Sequence, residues 1–320
     1  MNVGEPLIDT LLAILLPIAF GTLLKRTRLF RETEVAALRK FVMRVALPFL
    51  IFQNLYHADT ASLGQALPIV SSFALLTALY TLAALLVAPL AAGQTRQRQT
   101  FAFAVFAGNY AFLGWGMVVS FLGAAALTRA VFFSMFFWPV FLVCGLTMRH
   151  LDRGSRCGGE PGLLTVLVRH AGLPISVAFF ALTLNLAGVA LPRAVNGFVA
   201  QFAALAIPLI LFAIGQNLSL WMPLPRLRLV LGASLFRLVG GWGLGLLVVW
   251  LVRLVFPLDR LSQQVILLQA AMPTATMATF FSEYVELDEE LLSGIITFST
   301  LLSFLTLPVW VVLIRRLVPG

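Results

Sequence analysis

The sequence predicts an all-α polytopic membrane protein with ten transmembrane helices, arranged as two inverted repeats of five. Three observations lead to this fold class: a very apolar composition, ten long apolar runs, and a pattern that recurs in the second half. Of the 320 residues, 60% are hydrophobic and only 11% are charged. The mean hydropathy is +0.98. Soluble domains are usually about 45–50% apolar and about 25% charged, so this chain needs lipid as its solvent.

Each apolar run is long enough to cross a bilayer, which takes about 20 residues of α-helix. Charges and turn residues delimit the predicted spans 7–24, 37–56, 66–91, 99–121, 128–148, 162–186, 196–218, 229–255, 262–283 and 291–314. The first run is too long for a signal-peptide core and carries its basic flank on the wrong side, so we expect a mature helix. We predict one membrane domain over 1–320, with a first repeat at 1–149, a cytoplasmic linker at 150–161 and a second repeat at 162–320.

The net charge of +9 does not indicate nucleic-acid binding, because the basic residues gather in alternate loops. Of the 22 Lys and Arg residues, all lie on odd-numbered loops except Arg129, Arg193, Arg253, Arg260, Arg315 and Arg316. The positive-inside rule then places the odd-numbered loops in the cytoplasm. Both termini are expected outside, on the periplasmic or extracellular face of a bacterial cytoplasmic (inner) membrane. The acidic ninth loop is an exception, but acidic residues contribute little to this rule.

Internal similarity relates the two halves. Segment 46–52 (Ala-Leu-Pro-Phe-Leu-Ile-Phe) of the second span recurs as segment 206–212 (Ala-Ile-Pro-Leu-Ile-Leu-Phe) of the seventh. Pro17 and Pro174 are expected to interrupt the first and sixth spans at corresponding places. Each half has an odd number of spans, so the second half enters the membrane from the opposite side. Inverted repeats with interrupted helices are typical of secondary transporters whose site lies near the membrane midplane.

The fourth and ninth spans are predicted to be broken. Gly108, Asn109 and Gly114 weaken the fourth helix, since each Gly costs about 1 kcal/mol relative to Ala. Pro273 removes a backbone donor from the ninth helix and frees the carbonyl of Gln269. Packing alone explains many single kinks, but a matched pair of breaks at one depth favours a site. Two half-helix N-termini would converge there, and their partial positive charge suits a carboxylate.

Candidate substrate contacts lie beside the two breaks and at the ends of the duplicated segments. The amide of Asn109 can bind a carboxylate without burying a charge, and a helix-packing hydrogen bond is the alternative. The hydroxyls of Thr274 and Thr276 can cap a half-helix or meet a substrate oxygen. The pairs Gln53-Asn54 and Gln216-Asn217 end the two duplicated helices, and contact of polar helix ends with water explains them nearly as well as a substrate contact does. The full predicted set is Gly108, Asn109, Tyr110, Gly114, Met272, Pro273, Thr274, Thr276, Pro48, Pro208, Gln53, Asn54, Gln216 and Asn217.

Two ionisable residues are candidates for ion coupling. Arg237 lies about two turns inside the eighth span, where a central charge costs at least about 2.5 kcal/mol. Snorkelling of its side chain to the cytoplasmic interface is an equal alternative. Glu283 ends the ninth span, where simple solvation competes with a role in proton coupling. No phosphate-binding loop or zinc-binding helix motif is present, and Cys144 and Cys157 form no metal-ligand pattern. We therefore predict no enzyme activity, no cofactor and no metal site.

At these residues the chain resembles the auxin efflux carrier family, whose bacterial members include permeases for malonate, malate and related acids. The resemblance spans nearly the whole chain. It is strongest in segments 47–52, 109–114, 214–215, 271–275, 291–294, 299–303 and 307–308. It implies crossed breaks in the fourth and ninth helices, a scaffold half and a moving half, and an elevator-like movement. The architecture implied is similar to that of the bile acid–sodium symporters.

The resemblance also implies a function: a secondary active transporter, or permease, of small organic anions such as mono- or dicarboxylates or auxin-like acids. A sodium-coupled carrier of a larger amphipathic anion stays open as an alternative, and so does a non-transporting membrane sensor. The coupling ion is open between a proton and sodium. The expected partners are the anion and the lipid bilayer, with a homodimer left open and nucleic acid excluded.

Overall fold

The computed structural model describes residues 4–27, 29–137, 139–141, 143–145, 147, 163–217, 226–281 and 286–318. The protein is all-helical, as predicted, and these residues contain no β-strand. The predicted linker 150–161, Cys157 and Glu283 lie outside the described residues.

Most of the described chain is helical. The first half contains α1 (Gly4–Arg26), α2 (Glu32–Phe41), α3 (Leu47–Tyr56), α4 (Thr60–Gly64), α5 (Ala66–Ala91), α6 (Thr95–Phe106), α7 (Phe112–Leu122) and α8 (Leu127–Ser134). The second half contains α9 (Leu163–Leu186), α10 (Arg193–Asn217), α11 (Leu227–Leu235), α12 (Gly241–Arg253), α13 (Arg260–Ala270) and α14 (Glu289–Leu317). π-Helical turns at Val42–Ala46 and Phe236–Gly240 join α2 to α3 and α11 to α12, and a 3₁₀ turn occupies Thr276–Phe281.

Five helices in the described part are long and apolar enough to cross a membrane, as a multi-pass protein requires. They are Ala66–Ala91, Ala124–Gly145, Arg193–Gln216, Leu227–Arg253 and Glu289–Leu317. Two shorter apolar helices, Phe112–Leu122 and Gly172–Leu186, accompany them. The number of ten spans and the inversion of the repeat stay predictions.

The helices pack as two groups. The first helix group consists of α1, α2, α3, α9 and α10, and the second consists of α5 to α8 and α11 to α14. Contact between the groups runs mainly through α7, which lies against α1 and α10, and α8, which lies against α3. We call the boundary between the two groups, formed mainly by α7 and α8 against α1, α3 and α10, the seam.

Prolines in the first helix group do not break their helices. α1 continues through Pro17 and α9 continues through Pro174, so the predicted interruptions of the first and sixth spans are wrong. α10 likewise continues through Pro208. A proline inside a membrane helix removes one backbone bond, and neighbouring helices can satisfy the freed carbonyl. Proline alone is thus insufficient to open a helix here.

Arginine–carboxylate contacts tie the second helix group together at both of its ends. Arg129 at the start of α8 bonds Asp259, which caps α13, with 2.7 Å between Nη2 and Oδ2. At the other end, Arg226 before α11 bonds Asp288, the cap of α14, with 2.9 Å between Nη1 and Oδ1. These two ends are opposite because α11 and α12 run between them. The contacts hold neighbouring helices of the group in fixed relation.

Candidate functional site

The interruptions of the fourth and ninth spans meet each other. Residues 107–111 separate α6 from α7, and residues 271–275 separate α13 from the 3₁₀ turn. Two backbone hydrogen bonds join them: from Asn109 N–H to the Pro273 carbonyl at 2.8 Å, and from Ala275 N–H to the Ala107 carbonyl at 2.7 Å. Gly108 and Thr274 form an isolated antiparallel bridge between these bonds. We call these two segments the crossing. Both predicted breaks are observed, and they satisfy part of each other's exposed backbone.

The backbone of the crossing depends on glycine and proline at particular points. A Cβ atom on Gly108 would overlap Nη2 of Arg237 and the ring of Tyr110, so only glycine permits this close approach. Pro273 cannot donate a backbone bond, and α13 ends just before it. The carbonyl of Gln269, which was expected to be freed, instead accepts the N–H of Met272 at 3.1 Å in a tight final turn. The carbonyls that lack a partner in their own helix are those of Met272 and Pro273, which accept Nε of Arg237 and the N–H of Asn109.

Asn109 is almost fully buried, with 1% of its surface exposed. Its Oδ1 accepts the backbone N–H of Leu113 at 3.1 Å and so caps the first turn of α7. Its Nδ2 is buried and has no hydrogen-bond partner in the described part of the chain. Half of the amide therefore has a structural role, and the other half is a buried donor without an acceptor among the described residues.

The two threonines of the ninth span differ in their bonding. The hydroxyl of Thr274 donates to the Ala104 carbonyl at 2.9 Å, and its N–H donates to Oγ of Ser299 at 3.2 Å. Thr274 therefore fastens the crossing. Thr276 begins the 3₁₀ turn and lines a cavity of about 20 Å³ between the two helix groups. That volume suits about one water molecule, so the seam beside the crossing is closed to larger molecules in this conformation.

Arg237 lies behind the crossing and is fully buried. It belongs to the π-helical turn between α11 and α12, a feature often found at functional sites. Nε donates to the Met272 carbonyl at 2.8 Å and Nη1 donates to the Val105 carbonyl at 3.1 Å. Its guanidinium carbon lies 4.2 Å from the ring centroid of Tyr80 and 5.2 Å from that of Tyr110. The snorkelling alternative is wrong, because the side chain points inward.

Two further polar residues bond backbone carbonyls at or beside the crossing and were missed by sequence reasoning. The hydroxyl of Tyr80 on α5 donates to the carbonyls of Arg237, at 2.8 Å, and Ala270, at 3.0 Å. Nε2 of Gln269 donates to the Tyr110 carbonyl at 3.1 Å, and its Oε1 lies against Gly114. Both are polar side chains inside strongly apolar spans, which was the available signal. They stabilise backbone that no longer bonds within its own helix.

Of the other predicted site residues, Gln216 and Asn54 make their hydrogen bonds away from the crossing. Gln216 donates from Nε2 to the Gly21 carbonyl at 2.8 Å, joining α10 to α1. Asn54 donates to the Leu50 carbonyl of its own helix at 2.8 Å. Pro208 lies on the exposed face of α10, in an apolar groove with Pro17. Pro48 is buried at the start of α3, Gln53 is half-buried on the same helix, and Asn217 is the last residue of α10.

Comparison with known proteins identifies the family of this chain. A family model described as membrane transport protein matches residues 6–157 and 162–311. The chain belongs to the auxin efflux carrier family of membrane transport proteins. This family member is also 28% identical to an uncharacterized transporter of Methanothermobacter thermautotrophicus, over 96% of this chain and 98% of that protein. The resemblance is confirmed, and the family is one of transporters and not a class of enzymes.

Proposed function

We propose that this auxin efflux carrier family member is a secondary active transporter of small organic anions, such as mono- or dicarboxylates or auxin-like acids. The anion's carboxylate binds at the crossing. The observation that carries the proposal is the buried Nδ2 of Asn109, which lacks an acceptor in the described residues. Leaving a buried donor unsatisfied costs about 1–3 kcal/mol. A carboxylate oxygen beside Asn109 removes that cost.

The local electrostatics also favour an anion. α7 and the 3₁₀ turn both begin at the crossing, and helix N-termini carry partial positive charge and open N–H groups. Arg237 offsets the negative C-terminal ends of α6 and α13 directly behind, which leaves these N-terminal ends as the unbalanced charge, and no carboxylate of the described chain forms an ion pair with Arg237. An ammonium or alkali cation would face a positive field at the same place. The sign of the field therefore selects for negatively charged substrates.

An elevator-type movement suits the packing of the two helix groups. The crossing belongs to the second group, and the Arg129 and Arg226 contacts tie that group together at both ends. The first group meets it along a seam near α7 and α8, so the second group can slide as one body. Such a movement carries the crossing from one side of the membrane to the other. The water-sized cavity beside Thr276 must open for the anion to enter.

Flux into proteoliposomes tests the proposal. We expect saturable uptake of at least one radiolabelled acid from a panel of acetate, malonate, malate and indole-3-acetate, above that of protein-free liposomes. Sodium-dependent uptake of taurocholate alone would indicate a carrier of larger amphipathic anions. Binding of a carboxylate without flux would indicate a membrane sensor. Either result contradicts the proposed function.

The orientation in the membrane is proposed from the basic loops, with odd-numbered loops in the cytoplasm and both termini outside. Cys157 lies in the predicted fifth loop, so it should be shielded from an impermeant maleimide added to intact cells and react after permeabilisation. A Cys144→Ser background leaves Cys157 as the sole thiol. Rapid labelling of intact cells would reverse the proposed orientation.

A further inference from the structure

Arg237 connects the C-terminal ends of two half-helices. Its Nη1 bonds the carbonyl of Val105, which lies in the last turn of α6, and its Nε bonds the carbonyl of Met272, just beyond the end of α13. Both helices end at the crossing, so their final carbonyls lack intrahelical partners. The guanidinium therefore bonds one open carbonyl at each of the two half-helix ends at once.

The charges at this place balance. The C-terminus of a helix is equivalent to about half of a negative elementary charge, so two of them supply about one. The guanidinium of Arg237 supplies one positive charge. In transporters with interrupted helices, carbonyls at half-helix C-terminal ends are groups that coordinate a coupling Na⁺ or proton. Here a side chain of the protein makes those contacts instead.

The surroundings of Arg237 are closely packed. Tyr80 and Tyr110 lie beside the guanidinium, and Gly108 approaches so closely that even a Cβ atom would overlap Nη2. The side chain has no exposed surface. Within the described ranges, no group of three or more His, Cys, Asp or Glu side chains could hold a metal ion. A sodium ion at the half-helix ends would have to displace Arg237.

We propose that Arg237 is a built-in cation that takes the position of a coupling sodium ion, so that anion transport by this protein does not require sodium. The transport part of this inference rests on the proposed function. The occupancy part, namely that Arg237 takes the position of a sodium ion, does not rest on it, because competition between Arg237 and sodium is measurable without any substrate. Arg237 acts here as a positioning residue for the crossing and for the charge balance of the site.

Thermal unfolding of the purified protein in detergent tests the occupancy. We expect the wild type to have the same Tm in sodium chloride and in choline chloride at equal ionic strength. Arg237→Ala empties the position, so its Tm should be lower in choline chloride and should rise selectively with sodium or guanidinium. The matched control is Arg253→Ala, since Arg253 is an exposed arginine at the far end of α12. The control should show no response that is selective for either cation.

Two results would overturn the occupancy. One is selective stabilisation of the wild type by sodium, and the other is an Arg237→Ala protein whose Tm is the same in sodium, guanidinium and choline. If Arg237→Ala cannot be purified, the Arg237→Lys variant, which keeps the positive charge, is measured in place of the alanine variant. It should fold and, like the wild type, show no sodium-selective shift. A sodium-selective shift in Arg237→Lys would contradict the inference.

Uptake into proteoliposomes tests the transport part. Replacing sodium by choline on both sides should change the wild-type rate by less than about twofold, equivalent to about 0.4 kcal/mol. A larger stimulation by sodium overturns the inference and leaves the proposed anion transport intact. If no anion is transported at all, the proposed function fails, and the thermal measurement still decides whether Arg237 holds the cation position.

Discussion

Two buried arginines of the second helix group have opposite surroundings. Arg129 is 6% exposed, and its guanidinium bonds the Asp259 carboxylate and two serine hydroxyls. Arg237 is 0% exposed and bonds only backbone carbonyls, between two tyrosine rings. The charge of Arg129 is neutralised by the Asp259 carboxylate, so this pair joins α8 to α13 and has a structural role. The charge of Arg237 is balanced by the C-terminal ends of two half-helices and by no carboxylate of the described residues, which is the expected setting for a functional charge in a membrane.

Removing the carboxylate partner of Arg129 should have the largest effect on stability. Asp259→Asn leaves Arg129 buried without a counter-charge, and breaking such a pair typically costs about 3–5 kcal/mol. We expect the low end, about 3 kcal/mol, because the Asp259 side chain is 36% exposed. Thermal unfolding in detergent measures the loss. The double variant Arg129→Met/Asp259→Asn should recover part of the lost stability. An Asp259→Asn protein as stable as the wild type would show that the Arg129–Asp259 pair does not stabilise the fold.

Crowding Arg237 should have a smaller effect on stability but a specific effect on transport. In Gly108→Ala the added methyl group overlaps Nη2 of Arg237, and overpacking of this kind costs about 1–3 kcal/mol. The guanidinium and the Tyr110 ring must shift from their present positions, so we expect a lower Tm and slower anion uptake. Gly243→Ala is the control, since a Cβ atom there meets nothing within 4 Å. Equal uptake by both variants would show that the position of Arg237 does not matter.

The sequence predicted the breaks well because they depend on local chemistry. Pro273 lacks a donor and Gly108 lacks a side chain, and both properties are visible without a structure. The sequence could not decide the direction of Arg237, because that depends on the π-helical turn and on the space left by Gly108 in the crossing. Thr274 was predicted as a ligand or a cap, and its actual partner, Ala104, lies in the other half of the chain. The duplicated Pro208 matched in sequence, but repetition does not reveal which face a residue occupies.

Acid should have the smallest effect, and it should act on the Arg129 pair. Burial alone would raise the pKa of Asp259, but hydrogen bonds from Arg129 and Ser262 outweigh it and hold the pKa below its ordinary 3.8. A carboxyl group with a lowered pKa stabilises the fold above its unfolded pKa, and this stabilisation is lost as the pH falls through the folded value. The Tm of the wild type should therefore fall more steeply than that of Asp259→Asn below about pH 4. Parallel curves would indicate that this pair does not contribute.

The affinity of purified Asn109→Asp for a transported carboxylate tests the central claim most directly. Two like charges about 4 Å apart repel by about 4 kcal/mol at an effective dielectric constant near 20. Binding should therefore weaken by about a thousandfold. Asn109→Ala loses one hydrogen bond, worth about 0.5–1.5 kcal/mol or up to about 3 kcal/mol with a charged partner, and should be less damaging. If Asn109 only caps α7, neither variant would show a selective loss of affinity. Wild-type affinity in a folded Asn109→Asp protein would contradict binding of the anion at the crossing.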